Sequence, residues 1–385
     1  MLARLILAFY LLAGPLAAQS FETQAQAAYV LDQRTGMVLL NKNGEDPLPP
    51  ASMSKLMTLF MTFEAIQRGT LNVDDVLPVS EYAASLGGST MFLDSRDRVS
   101  VEDLIRGIIV LSGNDACIVL AEALSPDGTE AGFARMMTAR ARELGMTDSN
   151  FINSTGWPAA GHRMSMKDLA ILADRLIKDF PTYYPLFAEQ EFAFDGRAPS
   201  NTRNRNPVLT MGIGADGLKT GHTQEAGYGL TGSAKQGDRR VIFVITGLDT
   251  VRDRAEESGR IVNWAFRQFA EKVAAPAGTR IADAEVHMGD ARSVGLTPAE
   301  DMLILVPTIG AGEIEAHIRY DSPLIAPIAE GQEIGELVVD IPGFAPTSVP
   351  LVASEAVARG GFGPRLRTAA DALRRQFLEN RGAPS

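Results

Sequence analysis

The chain has 385 residues, 45% of them apolar, which is enough for one large domain and a smaller one. Its formal net charge of −11, with no basic run in the main body, argues against a nucleic-acid-binding protein. The single cysteine, Cys117, excludes an intramolecular disulfide, so stability has to come from burial alone. Cys117 lies in an apolar stretch, which favours a buried, inert thiol over a nucleophile.

Residues 1–20 have the pattern of a secretory signal peptide, so we expect the protein to be exported. Arg4 precedes an apolar run from Leu5 to Ala13, and small residues follow that run. The run is shorter than the roughly 20 apolar residues that span a bilayer. A buried N-terminal helix is the alternative interpretation, and cleavage after Ala18 or after Ser20 fits the pattern equally well.

The hydrophobic pattern of residues 21–273 predicts one large domain of mixed helices and strands. A hairpin is expected over Tyr29–Leu40, and a helix begins near Ser52. A later strand is almost continuously apolar, as expected inside a sheet that is covered on both faces. The other predicted helices are Val101–Leu111, Asp115–Leu124, Glu130–Leu144, Met166–Asp179 and Glu256–Val273, and the predicted strands are Gly227–Ala234 and Arg240–Leu248.

The residues after 273 predict a second, smaller domain. Residues 274–278 are small and suggest a linker. Short apolar runs separated by turn residues then predict a β-rich domain over residues 277–358. The clearest runs are Met302–Val306, Ile314–Tyr320 and Ile334–Ile341.

Residues 360–385 predict a basic amphipathic tail helix. Apolar residues recur at helical spacing from Phe362 to Phe377, and arginines surround them. One interpretation is an ordinary terminal helix docked on the body of the protein. The other is a helix that lies in the surface of an anionic membrane with its apolar face down. A basic helix on an exported protein with an acidic body favours the membrane surface.

The first of three short motifs, Ser52-Met53-Ser54-Lys55, can supply a nucleophile and a base. Residues three apart on a helix share a face, so the side chains of Ser52 and Lys55 can meet. A serine hydroxyl becomes a good nucleophile when a neighbouring base takes its proton. Lys55 can be that base if apolar neighbours and the cation Lys219 lower its pKa. The alternative is a serine N-cap followed by a solvated lysine.

The other two motifs can hold a substrate. Ser112-Gly113-Asn114 suits a turn between two helices, but Ser112 could also relay a proton between Lys55 and a leaving group, with Asn114 orienting a substrate amide. Lys219-Thr220-Gly221 places a cation and a hydroxyl on a strand edge, before a glycine that lets another backbone approach. Such an edge could bind a terminal carboxylate and pair with an extended peptide.

These motifs and their neighbours resemble the low-molecular-mass penicillin-binding proteins, which are serine D-Ala-D-Ala carboxypeptidases. The similarity covers roughly residues 28–270 and is carried by Pro50–Thr58, Ser112–Ala116 and Asp216–Thr223. It implies an α/β (α+β) serine β-lactamase/transpeptidase-like domain with a smaller all-β C-terminal domain. It implies no cofactor, and the four histidines lack metal-ligand spacing, so we expect no metal.

The resemblance also implies a role for each matching residue. Ser52 would be the acylated nucleophile, Lys55 its base, and the backbone N–H groups of Ser52 and His222 the oxyanion hole. Arg254 resembles an arginine that assists carboxylate recognition, with a surface residue at a helix start as the alternative. The residues expected to line the cleft and hold the substrate are Ser112, Asn114, Lys219, Thr220, Gly221 and His222.

The implied substrate is the peptidoglycan pentapeptide, from which the terminal D-alanine is removed, in the periplasm and at the surface of the cytoplasmic membrane. β-Lactams would be covalent inhibitors. The chain lacks an E-x-x-L-N stretch, which carries the deacylating glutamate of class A β-lactamases, so the acyl-enzymes should persist. An endopeptidase that cuts cross-links and a non-catalytic peptidoglycan-binding scaffold remain as alternatives. His162 departs from the family pattern, and we expect it to be structural.

Overall fold

The computed structural model describes residues 6–9, 21–198, 200–308, 314–342, 344, 346–363 and 366. They belong to two compact units. One unit spans residues 21–267, and the other combines residues 268–385 with residues 1–20, including the strand Ile6–Phe9 (β1). The boundary between the two units therefore follows Arg267, whereas the sequence predicted that the first domain ends at residue 273. The remainder of the predicted signal peptide lies outside the described residues.

The larger unit is built on a five-stranded antiparallel sheet with the strand order β3-β2-β8-β7-β6. Its middle strand contains a run from Val241 to Thr246 that is buried at every residue, so both faces of the sheet are covered as predicted. A separate two-stranded ladder joins β4 and β5. The strands are Ala27–Asp32 (β2), Val38–Lys42 (β3), Val76–Pro78 (β4), Arg98–Ser100 (β5), Ala215–Thr223 (β6), Gly227–Gln236 (β7) and Arg239–Leu248 (β8).

Helices surround this sheet. The α-helices are Lys55–Gln67 (α1), Glu81–Ser85 (α2), Val101–Arg106 (α3), Asn114–Leu124 (α4), Glu130–Glu143 (α5), Met166–Asp179 (α6) and Val251–Arg267 (α7). Both α6 and α7 pack against β8. Short 3-10 helices cover Ala51–Ser54, Tyr184–Ala188 and Pro207–Thr210, and Gly107–Leu111 is a π-helical turn. The helices predicted before residue 180 are confirmed, apart from small shifts at their ends and the π turn that ends the second one.

The helix α1 packs against α4, α5 and α6. Its apolar side chains point in every direction and all but Ile66 are buried, as in a helix that lies inside a core. Phe63 stacks on Tyr183 with a centroid distance of 5.0 Å, meets Phe187 edge-on and lies tilted against Phe180. The first residue of this buried helix is Lys55, so the fold itself carries a lysine into the core.

The helix predicted over Glu256–Val273 is wrong at both ends. The observed α7 begins at Val251 and ends at Arg267, and Phe269–Ala275 (β9) is a strand. That strand pairs antiparallel with Met302–Pro307, about 30 residues later in the chain. The composition of β9 is compatible with a helix or with a strand. Its pairing with the distant strand Met302–Pro307 decides in favour of a strand. The proposed linker also begins too early, because Ala274 and Ala275 belong to β9.

The smaller unit is rich in β-structure, as predicted. Its remaining strands are Ala282–His287 (β10), Ser293–Pro298 (β11), Met302–Pro307 (β12), Ile314–Arg319 (β13), Leu324–Ile325 (β14), Glu333–Asp340 (β15) and Thr347–Ala353 (β16). A seven-stranded sheet has the order β1-β13-β15-β16-β11-β10-β14, and β9 pairs with β12. Most of the predicted tail helix lies outside the described residues. Within the described ranges, no helix combines the length and apolar character needed to cross a bilayer.

Candidate active site

Ser52 and Lys55 meet at the start of the buried helix. Ser52 lies in the 3-10 turn Ala51–Ser54, which runs directly into α1. The Lys55 ammonium donates to Ser52 Oγ at 2.7 Å and to the carbonyl oxygen of Thr155, also at 2.7 Å. Lys55 is fully buried, whereas Ser52 is partly exposed. The predicted contact between these two side chains is confirmed.

Burial is the main reason why Lys55 can act as a base. The pKa of Lys55 falls from 10.5 to about 8, chiefly through burial and to a smaller extent through the positive charge of Arg205, while the charge of Asp115 opposes the shift. The Cys117 thiol is also buried, which raises its pKa to about 12 and keeps it neutral. The pKa of Lys219 lies well below its ordinary value because of burial and then the charge of Lys55. The expected desolvation is therefore present.

Ser112 occupies a strained position at the end of the π-helical turn. Its backbone is left-handed, with φ of 62°, a conformation that non-glycine residues adopt rarely and most often at functional sites. Lys219 donates to Ser112 Oγ at 2.9 Å. The sequence suggested that Ser112 relays a proton between Lys55 and a leaving group, and in the structure the hydrogen-bond partner of its hydroxyl is the lysine of the third motif. Two of the three motifs are joined by this contact.

Asn114 fixes a neighbouring loop against the second motif. Its backbone N–H donates to the Ser89 carbonyl at 2.7 Å, and its side-chain amide donates to the Gly87 carbonyl at 2.8 Å. The buried carboxylate of Asp115 accepts hydrogen bonds from the backbone N–H groups of Met91 and Leu93. The loop over residues 87–93 therefore takes its position from the two residues that follow Ser112-Gly113.

The third motif lies on β6, the last strand in the order of its sheet, as the sequence predicted. Lys219 and Thr220 are buried there, and His222 is exposed and stacks on Tyr228 with a centroid distance of 3.8 Å. Gly221 allows the strand to approach the nucleophile turn. A Cβ atom on it would lie 2.9 Å from the Pro50 carbonyl oxygen and 3.1 Å from Met53 Cγ. This close approach of two backbone segments explains why residue 221 is a glycine.

Arg254 is buried, with 4% of its surface exposed, so the alternative of a surface arginine is wrong. Its guanidinium donates to the carbonyl oxygen of Arg205 at 3.2 Å and lies 5.7 Å from the ring centroid of Tyr228. Burial lowers the pKa of Arg254 to about 10, and the neighbouring Arg205 contributes to that shift. Its Nε has no hydrogen-bond partner in the structure, which leaves a buried donor for an anion.

Three residues near the motifs were not assigned a functional role from sequence. Arg205 donates to Ser89 Oγ at 2.7 Å and to the Leu111 carbonyl at 2.8 Å, beside the second motif. The carbonyl of Thr155 holds Lys55. His162 Nδ1 accepts from the Ile152 N–H, so its Nε2 donates to Ser54 Oγ at 2.9 Å. Burial lowers the pKa of His162 to about 4, and this neutral ring fits the predicted structural role.

A tight turn brings the Thr155 carbonyl to Lys55. Asn153 Oδ1 accepts from the backbone N–H groups of Thr155 at 3.2 Å and Gly156 at 2.8 Å. Gly156 has φ of +78°, and a Cβ atom on it would lie 1.8 Å from the Ala51 carbonyl oxygen. The turn therefore packs directly against the backbone that carries the nucleophile.

Comparison with known proteins gives two family matches. Residues 15–250 match the family described as D-alanyl-D-alanine carboxypeptidase, and residues 269–359 match the C-terminal domain of penicillin-binding protein 5. The chain is 34% identical over 346 residues to D-alanyl-D-alanine carboxypeptidase DacF of Bacillus subtilis, with 88% of this chain and 87% of that protein covered.

Solved structures agree with these matches. The structure of penicillin-binding protein 5 from Haemophilus influenzae is 33% identical with a TM-score of 0.78, covering 89% of this chain and all of that one. Penicillin-binding protein D2 from Listeria monocytogenes, in its ampicillin-bound form, is 30% identical with a TM-score of 0.57, covering 64% of this chain and 98% of that one. The expected α/β fold with a smaller β-rich C-terminal domain is confirmed.

Substitution of Gly156 tests whether the turn and the nucleophile backbone are coupled. We expect Gly156→Ala to slow acylation by a β-lactam about tenfold or more, since small displacements at a reacting group are costly. Gly69→Ala is the matched control, because Gly69 has φ of +71° but no atom within 4 Å of the added Cβ. Stopped-flow acylation and thermal melts separate the effects. Equal acylation rates for the two variants would contradict the coupling.

Proposed function

The chain belongs to the family of serine-type D-alanyl-D-alanine carboxypeptidases, and from this we propose that Ser52 is acylated by a peptidoglycan stem pentapeptide with Lys55 as its base. The 2.7 Å hydrogen bond between Lys55 Nζ and Ser52 Oγ carries the proposal. A buried lysine whose pKa lies near 8 has a neutral fraction of about one tenth at pH 7. That fraction can accept the serine proton.

In the first half of the reaction, neutral Lys55 takes the proton of Ser52 as its oxygen attacks the carbonyl between the two D-alanines. The backbone N–H groups of Ser52 and His222 stabilise the negative charge that develops on the carbonyl oxygen. The proton that Lys55 has taken up passes through the hydroxyl of Ser112, which is hydrogen-bonded to Lys219, to the nitrogen of the departing D-alanine. Water then attacks the ester on Ser52 and releases the shortened peptide.

The edge of β6 holds the substrate in this proposal. An extended peptide pairs with the backbone around Gly221, and Asn114 orients its amide. Lys219, Thr220 and Arg254 bind the terminal carboxylate. An arriving carboxylate favours the charged form of Lys219, which opposes the depression of its pKa by burial. Substrate binding and the charge of this lysine are therefore coupled.

The same site is proposed to bind β-lactams as covalent inhibitors. A relative of known structure, penicillin-binding protein D2, is described in an ampicillin-bound form. The absence of an E-x-x-L-N stretch from the sequence supports a slow release of the acyl group. An endopeptidase or a non-catalytic scaffold is not favoured, because the relatives are named as carboxypeptidases.

We also propose that the protein is exported to the periplasm and that residues 360–385 attach it to the membrane surface. The signal-like pattern of residues 1–20 supports export. Apolar residues at helical spacing among arginines support attachment. At the start of the tail, Phe362 is 83% exposed and Leu366 is 60% exposed, as side chains that enter a membrane surface would be.

Replacement of the nucleophile tests the central role. We expect Ser52→Ala to abolish covalent labelling by a fluorescent penicillin, while Ser85→Ala, at an exposed helix end, labels like the wild type. Wild-type enzyme should convert pentapeptide muropeptides to tetrapeptides with release of D-alanine. Labelling of Ser52→Ala would refute the assignment of the nucleophile. Loss of cross-linked dimers in the same digest would show endopeptidase activity instead.

The pH dependence of acylation tests the base. The pKa of Lys55 is lowered, so its neutral form accumulates as the pH rises through about 8. The acylation rate should therefore rise over that range and level off above it. Lys55→Arg, which remains charged, should lose a factor of about 10² or more at every pH. A flat profile for the wild type would contradict this role.

Deletion of the tail tests attachment. We expect a chain without residues 360–385 to be released from the membrane fraction and to lose binding to vesicles that contain anionic lipid. Full-length protein should bind such vesicles less at high salt, because screening weakens its arginine contacts. The double variant Phe362→Ser/Leu366→Ser should bind more weakly with its charge unchanged. Retention of the truncated chain in membranes would contradict the proposal.

A further inference from the structure

The carboxylate of Glu130 makes hydrogen bonds that an ordinary first-turn acidic residue does not need. Glu130 is the first residue of α5, whose N-cap is Thr129. Its Oε1 accepts from the backbone N–H of Ser154 at 2.9 Å and from Ser154 Oγ at 2.8 Å. Its Oε2 accepts from the Tyr82 hydroxyl at 2.8 Å. The carboxylate is thus shared between two other parts of the chain.

Ser154 belongs to the turn that holds Lys55. The carbonyl of Ser154 accepts from Thr58 Oγ1 at 2.7 Å, and the carbonyl of the next residue, Thr155, accepts from Lys55 Nζ at 2.7 Å. Thr58 and Lys55 are three residues apart on α1 and lie on the same face. Two consecutive carbonyls of the turn therefore bind two side chains of the catalytic helix. Glu130 anchors Ser154, the first of the two residues that carry these carbonyls, by accepting hydrogen bonds from the Ser154 N–H and hydroxyl.

We propose that Glu130 is a positioning residue that sets the place of the Thr155 carbonyl and, through it, the position of Lys55. This inference rests on the proposed role of Lys55 as the base. Ser154 is completely buried, so without Glu130 its N–H and hydroxyl lose their acceptor inside the protein. Glu130 has no hydrogen bond to Ser52 or Lys55 and acts through the turn.

Loss of this anchor has a defined effect on Lys55. If the Thr155 carbonyl moves away, the ammonium form of Lys55 loses an acceptor, so the pKa of Lys55 falls. The other groups that face Lys55 stay in place: Cys117 and Asp115 on α4, Lys219 on β6, and Arg205 and His162 from the loops. The inflection in the plot of acylation rate against pH should then shift to lower pH, while the maximum rate falls because Lys55 is misplaced.

The experiment compares Glu130→Ala, Glu130→Gln and Glu130→Asp in the full chain, with Glu122→Ala as the matched control. Glu122 lies on α4, is partly buried and accepts from the Ser80 hydroxyl at 2.9 Å, but has no contact with the turn. The rate of acylation by a fluorescent penicillin is measured from pH 6 to pH 10, together with the thermal melting temperature.

We expect Glu130→Ala to lower the plateau rate about tenfold or more and to shift the inflection to lower pH. Glu130→Gln should stay within about threefold of the wild type, since its amide oxygen still accepts from Ser154. Glu130→Asp, with its carboxylate withdrawn by one methylene group, should be slow although it keeps the charge. Glu122→Ala should keep the wild-type profile.

A wild-type profile for folded Glu130→Ala overturns the inference. If that variant does not fold, a wild-type profile for Glu130→Asp overturns it in the same way. An equal loss in Glu122→Ala also overturns it, because the effect would then be general destabilisation. Labelling of Ser52→Ala refutes the proposed function itself, whatever the Glu130 variants do. If Ser52→Ala is not labelled by penicillin and every Glu130 variant behaves as the wild type, this inference alone is wrong.

Discussion

The site depends on one constraint: the ammonium group of Lys55 is buried inside the core. A charged group in a protein interior is costly unless hydrogen bonds replace its water. Here the replacements are the hydroxyl of Ser52 and the carbonyl of Thr155, each at 2.7 Å. Both are neutral acceptors, so the charge is tolerated without being neutralised. The burial that destabilises the cation is also what brings the pKa of Lys55 near 8.

The constraint extends to the neighbouring cations. Lys219 and Arg254 are buried and Arg205 is exposed, and in the part of the chain that the structure describes no carboxylate forms an ion pair with any of them or with Lys55. The chain as a whole carries a net charge of −11, so this positive cluster contrasts with the rest of the molecule. Such a cluster favours an anionic ligand. A peptide that ends in a carboxylate fits this requirement, and so does a β-lactam carboxylate.

Local features of the site could be predicted from sequence, and distant ones could not. The contact between Ser52 and Lys55 follows from helical spacing, and the edge position of Lys219 follows from strand and turn patterns. Thr155 lies 100 residues from Lys55 and Lys219 lies 107 residues from Ser112, so no spacing rule connects them. The strand β9 was mistaken for helix because its partner β12 comes later in the chain. Arg205 lies in a segment without regular periodicity, where no pattern marked its role.

The proposed oxyanion hole shows how backbone contacts set the geometry of the site. Its two N–H groups come from separate elements, Ser52 in the 3-10 turn and His222 on β6. The distance between these elements is fixed where Gly221 meets the Pro50 carbonyl, since even a Cβ atom would come within 2.9 Å of it. Gly156 packs against the carbonyl of Ala51 in the same way. Two glycine contacts therefore fix the nucleophile turn, so its N–H donor is placed before any substrate arrives, as electrostatic stabilisation of a transition state requires.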